Sequence, residues 1–119
     1  MMEIYKKFSF DSAHYLPNLP ENHKCRRMHG HTFYVTVFIK GQIDKKIGWI
    51  KDFYDIKNLF KPIHNKLDHQ ILNEIKGLEN PTSEILAKWI WDRMISVLPE
   101  LSKIEVSETC TSGCIYRGE

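Results

Sequence analysis

Long apolar runs, long runs of like charge, internal repeats and low-complexity tracts are all missing from this 119-residue sequence, and each absence closes off a class of function. No apolar stretch approaches the ~18 residues of a membrane-spanning helix, and no signal peptide precedes the first strand-like segment, so a soluble cytoplasmic protein with no membrane partner is expected. Net charge is only +2 and no basic run is long, which argues against a nucleic-acid partner. The three cysteines, an odd number without a secretory leader, are expected to stay reduced. Two of them, in Cys110-Thr111-Ser112-Gly113-Cys114, lack the usual two-residue metal spacing and read more simply as a turn between strands. The length suits a single domain over residues 1–119, large enough for one core and too small for two.

What the sequence does have is a concentration of histidine near its start: His14 on the first strand-like segment, then Cys25-Arg26-Arg27-Met28-His29-Gly30-His31 opening the second. Histidines two apart on a strand point to the same side, about 7 Å apart, so both imidazoles can bind one cation and leave room for a third ligand. Beyond them Phe33, Val35, Val37 and Ile39 continue the same face, so the pair ends an apolar stripe. In the first segment Ile4, Phe8, Phe10 and His14 likewise share a face if no bulge intervenes. An antiparallel pairing would then bring His14 beside His29 and His31. Three neutral imidazoles with an open fourth position suit a catalytic zinc better than a closed structural one.

Two roles are open to Cys25. As a fourth ligand it would close the site, whereas as a thiolate beside the metal it would act as base or nucleophile, with Lys24, Arg26 and Arg27 favouring the anion. Those three cations either bind a polyanion or belong to a solvated loop.

The remaining chain supplies two helices and a closing hairpin. Gly41-Gln42-Ile43-Asp44 and Gly48 mark turns, and Trp49-Ile50 suggests a short strand. Asp52 is a candidate N-cap for a helix with Phe53, Ile56, Leu59, Phe60 and Ile63 on its apolar face, and Pro62 threatens its last part. A second helix starts at Asn80-Pro81-Thr82-Ser83-Glu84, with Ile85, Leu86, Trp89, Ile90, Met94 and Leu98 as its buried stripe and Pro99 as its stop. Segments 104–108 and 114–117 then form the hairpin. The order strand, strand, helix, helix, strand, strand predicts an α+β fold: a four-stranded antiparallel sheet with two helices on one face.

Two further spots stand out. Glu108 shares parity with Ile104 and Val106, so an ideal strand turns its carboxylate to the apolar side, where an unpaired charge costs several kcal/mol; it needs a partner there, or a bulge that turns it outward. Asp68-His69 pairs an acid with an imidazole, an arrangement that can orient a base but is also common in loops.

Together these residues resemble the 6-pyruvoyl-tetrahydropterin synthase family, and most closely its carboxy-forming bacterial branch. The resemblance spans nearly the whole chain: Phe-Ser-Phe-Asp-Ser-Ala-His at 8–14, Cys-Arg-Arg-Met-His-Gly-His at 25–31, Gly-Trp-Ile-Lys-Asp-Phe at 48–53, Leu-Asp-His at 67–69, Glu-Asn-Pro-Thr-Ser-Glu at 79–84, and the segment from Glu108 to Glu119. Three residues separate Cys25 from His29, as in that branch, whereas the animal pyruvoyl-forming enzymes carry a longer insertion. A folate-pathway branch has glutamate in place of the cysteine, and Cys25 argues against it.

The resemblance implies a tunnelling fold (T-fold) in which subunits join their sheets into a barrel, with active sites at subunit interfaces and a homo-oligomer, a hexamer built from trimers. It assigns His14, His29 and His31 to zinc, Cys25 to proton abstraction, Asp68 and His69 to a relay assisting Cys25, and Glu108 to the pterin ring. Lys24, Arg26 and Arg27 become candidates for holding a triphosphate. The implied reaction is a zinc-dependent lyase step of queuosine biosynthesis, taking 7,8-dihydroneopterin triphosphate to 6-carboxy-5,6,7,8-tetrahydropterin, acetaldehyde and triphosphate. A pyruvoyl-forming synthase would share every residue named but stop before carbon–carbon cleavage, and a non-catalytic zinc or pterin-binding module would bind metal without turnover.

Overall fold

Alternation of apolar and polar residues builds two long strands, β1 (Met2–His14) and β2 (His29–Gly41), in the computed structural model, which describes residues 1–119. They pair antiparallel without a bulge, from Met2 opposite Gly41 to His14 opposite His29. Side-chain parity is therefore preserved along the whole ladder. On β1, Phe10, Ser12 and His14 are buried while Glu3, Tyr5, Lys7, Ser9 and Asp11 are exposed; on β2, Phe33, Val35, Val37 and Ile39 are sealed from solvent. β3 (Leu101–Ser107) pairs with β2, and β4 (Gly113–Tyr116) pairs with β3, giving the order β1-β2-β3-β4. The turn between β3 and β4 holds Cys110, as the Cys110–Cys114 spacing suggested, and all three cysteines are free.

Both helices pack on the inward face, which makes this the expected α+β arrangement. α1 (Phe53–Leu67) is capped by Asp52, whose carboxylate accepts the Tyr54 N–H at 2.9 Å, and it buries Ile56, Phe60, Ile63 and Leu67. Pro62 does not end it. The proline is exposed and only withholds an N–H from the Asn58 carbonyl, also on the exposed side, while Ile63 and Leu67 hold the following turn in the core. α2 (Ser83–Met94) starts at Thr82, whose hydroxyl accepts the Ile85 N–H at 3.1 Å. Its buried stripe is Leu86, Ala87, Trp89, Ile90 and Met94; Ile85, expected there, is 38 % exposed because it lies on the flank of that face. The helix ends before Pro99, and Leu98 reaches the core from a turn in which its N–H bonds the Met94 carbonyl. Phe8 stacks on Phe60 at 4.1 Å between centroids, joining β1 to α1.

The strand expected at Trp49-Ile50 is absent. Asp44 closes a local loop instead: its carboxylate accepts the N–H groups of Lys46 and Ile47, its carbonyl accepts Gly48 N–H, and its own N–H donates to the Trp49 carbonyl. Gly48 occupies the left-handed region (φ 92°) that this closure requires. Ile50 still packs against the core, which accounts for the apolar signal without a strand. No helix is long and apolar enough to cross a membrane.

Candidate active site

At the open end of the inward face the apolar stripe gives way to imidazole. The register places His14 opposite His29 and Ser12 opposite His31, so β1 delivers one histidine beside the two that β2 supplies. One ligand nitrogen from each of His14, His29 and His31 lies within 4.8 Å of the others, and the Nε2 atoms of His14 and His31 are 3.1 Å apart. Phe33 floors the group, its ring centroid 4.1 Å from that of His31 and 5.2 Å from that of His14.

The outward nitrogens fix the tautomers. His14 Nδ1–H donates to the Pro81 carbonyl at 2.9 Å, His29 Nδ1–H to the Arg27 carbonyl at 2.7 Å, and His31 Nδ1–H to the Thr32 carbonyl at 3.3 Å. A carbonyl can only accept, so these bonds put a proton on each Nδ1, and in the neutral imidazole Nε2 then carries the lone pair. Two lone pairs facing each other at 3.1 Å repel unless a cation lies between them. Nitrogens bound tetrahedrally at ~2.0–2.1 Å would be separated by about 3.3–3.4 Å, close to the 3.1 Å between His14 and His31. His14 is 2 % exposed, and burial pushes its pKa below the ordinary imidazole value, despite the opposing pull of the Pro81 bond and Glu108. A neutral imidazole is what a metal ligand must be. The three histidines thus form a site that could hold a metal ion, with its orienting carbonyls already in place.

Glu108, one residue past β3, faces the same group. Its Oε1 is 4.0 Å from His14 Nε2 and 3.9 Å from His31 Nε2, so the carboxylate has the inward direction that its parity with Val106 indicated, facing the same space as the imidazole nitrogens. Cys25 lies in a single 3-10 turn, Lys24–Arg26, pinned by its N–H to His23 Nδ1 (3.1 Å) and by Leu16 N–H to its carbonyl (2.8 Å). A cavity of about 450 Å³ is lined by Lys24, Cys25, His29, His31, Glu108 and Thr109. Thiol, carboxylate and imidazoles therefore share one space. Of the three cations, only Lys24 lines it: Arg26 Nη1 donates to the Leu19 carbonyl at 2.8 Å, and Arg27 lends its backbone carbonyl to His29.

Asp68 and His69 form a bonded pair elsewhere. Asp68 caps the C-terminus of α1; one carboxylate oxygen accepts the Asp11 N–H at 3.0 Å and the other the His69 Nδ1–H at 2.9 Å. The Asp11 N–H, helped by His69, holds the Asp68 carboxyl below its ordinary pKa. The His69 ring is 79 % exposed, in a cavity of about 470 Å³ bounded by Asp11, Gly30 and Thr32, and only His31 borders both this cavity and that of Cys25. A single chain does not bring the pair to Cys25. Sequence reasoning also missed Pro81, Thr109 and Ser12. Only Ser12 carried a signal, its even parity with His14.

The comparisons with known proteins follow the same residues. Residues 3–119 match the family model described as 6-pyruvoyl tetrahydropterin synthase. A Synechocystis sp. relative named 6-carboxy-5,6,7,8-tetrahydropterin synthase is 43 % identical, covering 98 % of this chain and 93 % of its own. The human 6-pyruvoyl tetrahydrobiopterin synthase is 31 % identical over 98 % of this chain and 92 % of its own. The solved structure of Caenorhabditis elegans 6-pyruvoyl tetrahydropterin synthase superimposes with a TM-score of 0.90 at 24 % identity, covering 99 % of this chain and 96 % of that one, and so shares its fold. With a family match over almost its full length and relatives of this identity, the chain belongs to the 6-pyruvoyl tetrahydropterin synthase family.

Proposed function

We propose that the protein is a zinc-dependent carbon–carbon lyase that converts 7,8-dihydroneopterin triphosphate and one water to 6-carboxy-5,6,7,8-tetrahydropterin, acetaldehyde and triphosphate, in queuosine biosynthesis. One observation carries the reading: a three-histidine group opens on a cavity that also holds a thiol and a carboxylate. The 43 % identical relative named for this product supports the branch.

His14, His29 and His31 would hold zinc through Nε2, and the metal would supply Lewis-acid stabilisation of developing negative charge on the substrate side chain. Cys25 takes a carbon-bound proton next to the pterin ring. Glu108 accepts hydrogen bonds from a ring N–H and the exocyclic amine, a two-point match for a carboxylate. Lys24, with Arg26 and Arg27 nearby in sequence, holds the triphosphate, and the place of Lys24 on the cavity wall favours it over the other two. His69, aligned by Asp68, assists Cys25. That pair borders a different cavity and its ring is exposed, which supports service to the Cys25 of another copy in a homo-oligomer; the hexamer built from trimers is what the family resemblance implies.

The second reading is a pyruvoyl-forming synthase, favoured by the human relative. Incubation with dihydroneopterin triphosphate and mass-spectrometric identification of the product separates the two. Acetaldehyde with 6-carboxytetrahydropterin is expected; a pyruvoyl product overturns the branch, and metal binding without turnover overturns the enzyme.

A further inference from the structure

Ser12 is the one buried β1 side chain that reaches the Asp68–His69 turn. It is 7 % exposed, on the inward face two residues before His14, and its hydroxyl is used twice: it donates to the Leu67 carbonyl and accepts the Gln70 N–H at 3.2 Å. Leu67 and Gln70 are the residues immediately before Asp68 and after His69. One hydroxyl thus pinches the chain on both sides of the pair, a use of donor and acceptor together that few side chains of this size permit.

The pinch has something to hold. His69 lies in the left-handed region, with φ 57°, and no other non-glycine residue of the chain has a positive φ. Such a conformation persists only when its surroundings over-determine it. The other restraints from β1 are main-chain: Asp11 gives its N–H to Asp68 and its carbonyl to His69 N–H (2.6 Å), and Ala13 N–H donates to the Gln70 carbonyl (2.9 Å). Any residue at those positions supplies these bonds, but only a hydroxyl at position 12 supplies the pinch. Ser12 also stands opposite His31 in the ladder, so the same strand ties the turn to the histidine group.

We infer that Ser12 is a positioning residue, holding the Asp68–His69 turn in the backbone conformation that aims the imidazole for proton transfer. The inference rests on the relay reading of Asp68 and His69 given above. Its test is a double-mutant cycle with steady-state kinetics on dihydroneopterin triphosphate. Ser12→Ala is expected to lower kcat about tenfold, with KM and metal content unchanged, since small misplacements of a reacting group act on the chemical step. Ser12→Thr, which keeps the hydroxyl, should recover most of that loss. In a His69→Ala background, Ser12→Ala should cost nothing further, because both changes act through one group. Should the alanine variant not fold, Ser12→Cys, of similar size but with a weak donor, takes its place in the cycle. Unchanged kcat in the Ser12 variant, or an undiminished loss in the His69→Ala background, overturns the inference. A His69→Ala protein with full turnover would instead overturn the relay itself, and the role of Ser12 with it.

Discussion

The inward face of the β1–β2 hairpin keeps one parity and one register along its length, yet its two ends carry different chemistry. Toward Gly41, Val35, Val37 and Ile39 are sealed in the core; toward His29, the same face carries imidazoles and meets a cavity. Nothing in the backbone separates the two ends. The difference teaches that the candidate metal site extends the core's own scaffold, with the apolar half setting the rigidity of the polar half.

If that division holds, substitutions at the two ends should have separable effects. The largest is expected at the polar end: His31→Ala leaves two ligands of three, so metal content by elemental analysis should fall to near zero while the protein stays folded. Full occupancy in that variant would break the comparison. At the apolar end, Ile39→Ala should cost about 2–5 kcal/mol in denaturant unfolding with metal per folded chain unchanged. Within the polar end, Cys25→Ala sharpens the contrast between ligand and base. It should keep the metal and lose turnover by roughly 10² or more, whereas parallel loss of metal would make Cys25 a fourth ligand. Glu108→Gln should have the smallest effect, weakening a pterin product or analogue by about 1.5–3 kcal/mol in a calorimetric titration without loss of metal. Unchanged affinity there would remove Glu108 from the ring.

Much of this was legible in the sequence because strands read by parity. His14, His29, His31 and Glu108 each point where alternation indicated, since the β1–β2 ladder runs without a bulge and Glu108 directly follows β3. The helix starts at Asp52 and Thr82 were equally legible, their caps being local. Sequence signals ran out where a local preference met a longer-range one. Pro62 is tolerated because Phe60, Ile63 and Leu67 bind the helix to the core around it, and Trp49-Ile50 is bent by hydrogen bonds centred on Asp44. The setting of Asp68–His69 was illegible for a different reason: its partners Asp11 and Ser12 lie more than fifty residues away in sequence, and both bonds from Asp11 use its main-chain atoms, which no side-chain pattern records.

The facing Nε2 atoms of His14 and His31 have a consequence for how the fold ends. They belong to opposite strands at the last rungs of the ladder, just where the chain leaves for the segment between His14 and His29. A cation held there is a cross-link between strands, and its absence leaves two like dipoles pressing the rungs apart. By mass action, free metal at a thousand times the dissociation constant adds about 4 kcal/mol to the stability of the folded form. With a metal bound, much of the firmness of this end of the sheet would be set by the surrounding solution, while the other end carries its own in its side chains.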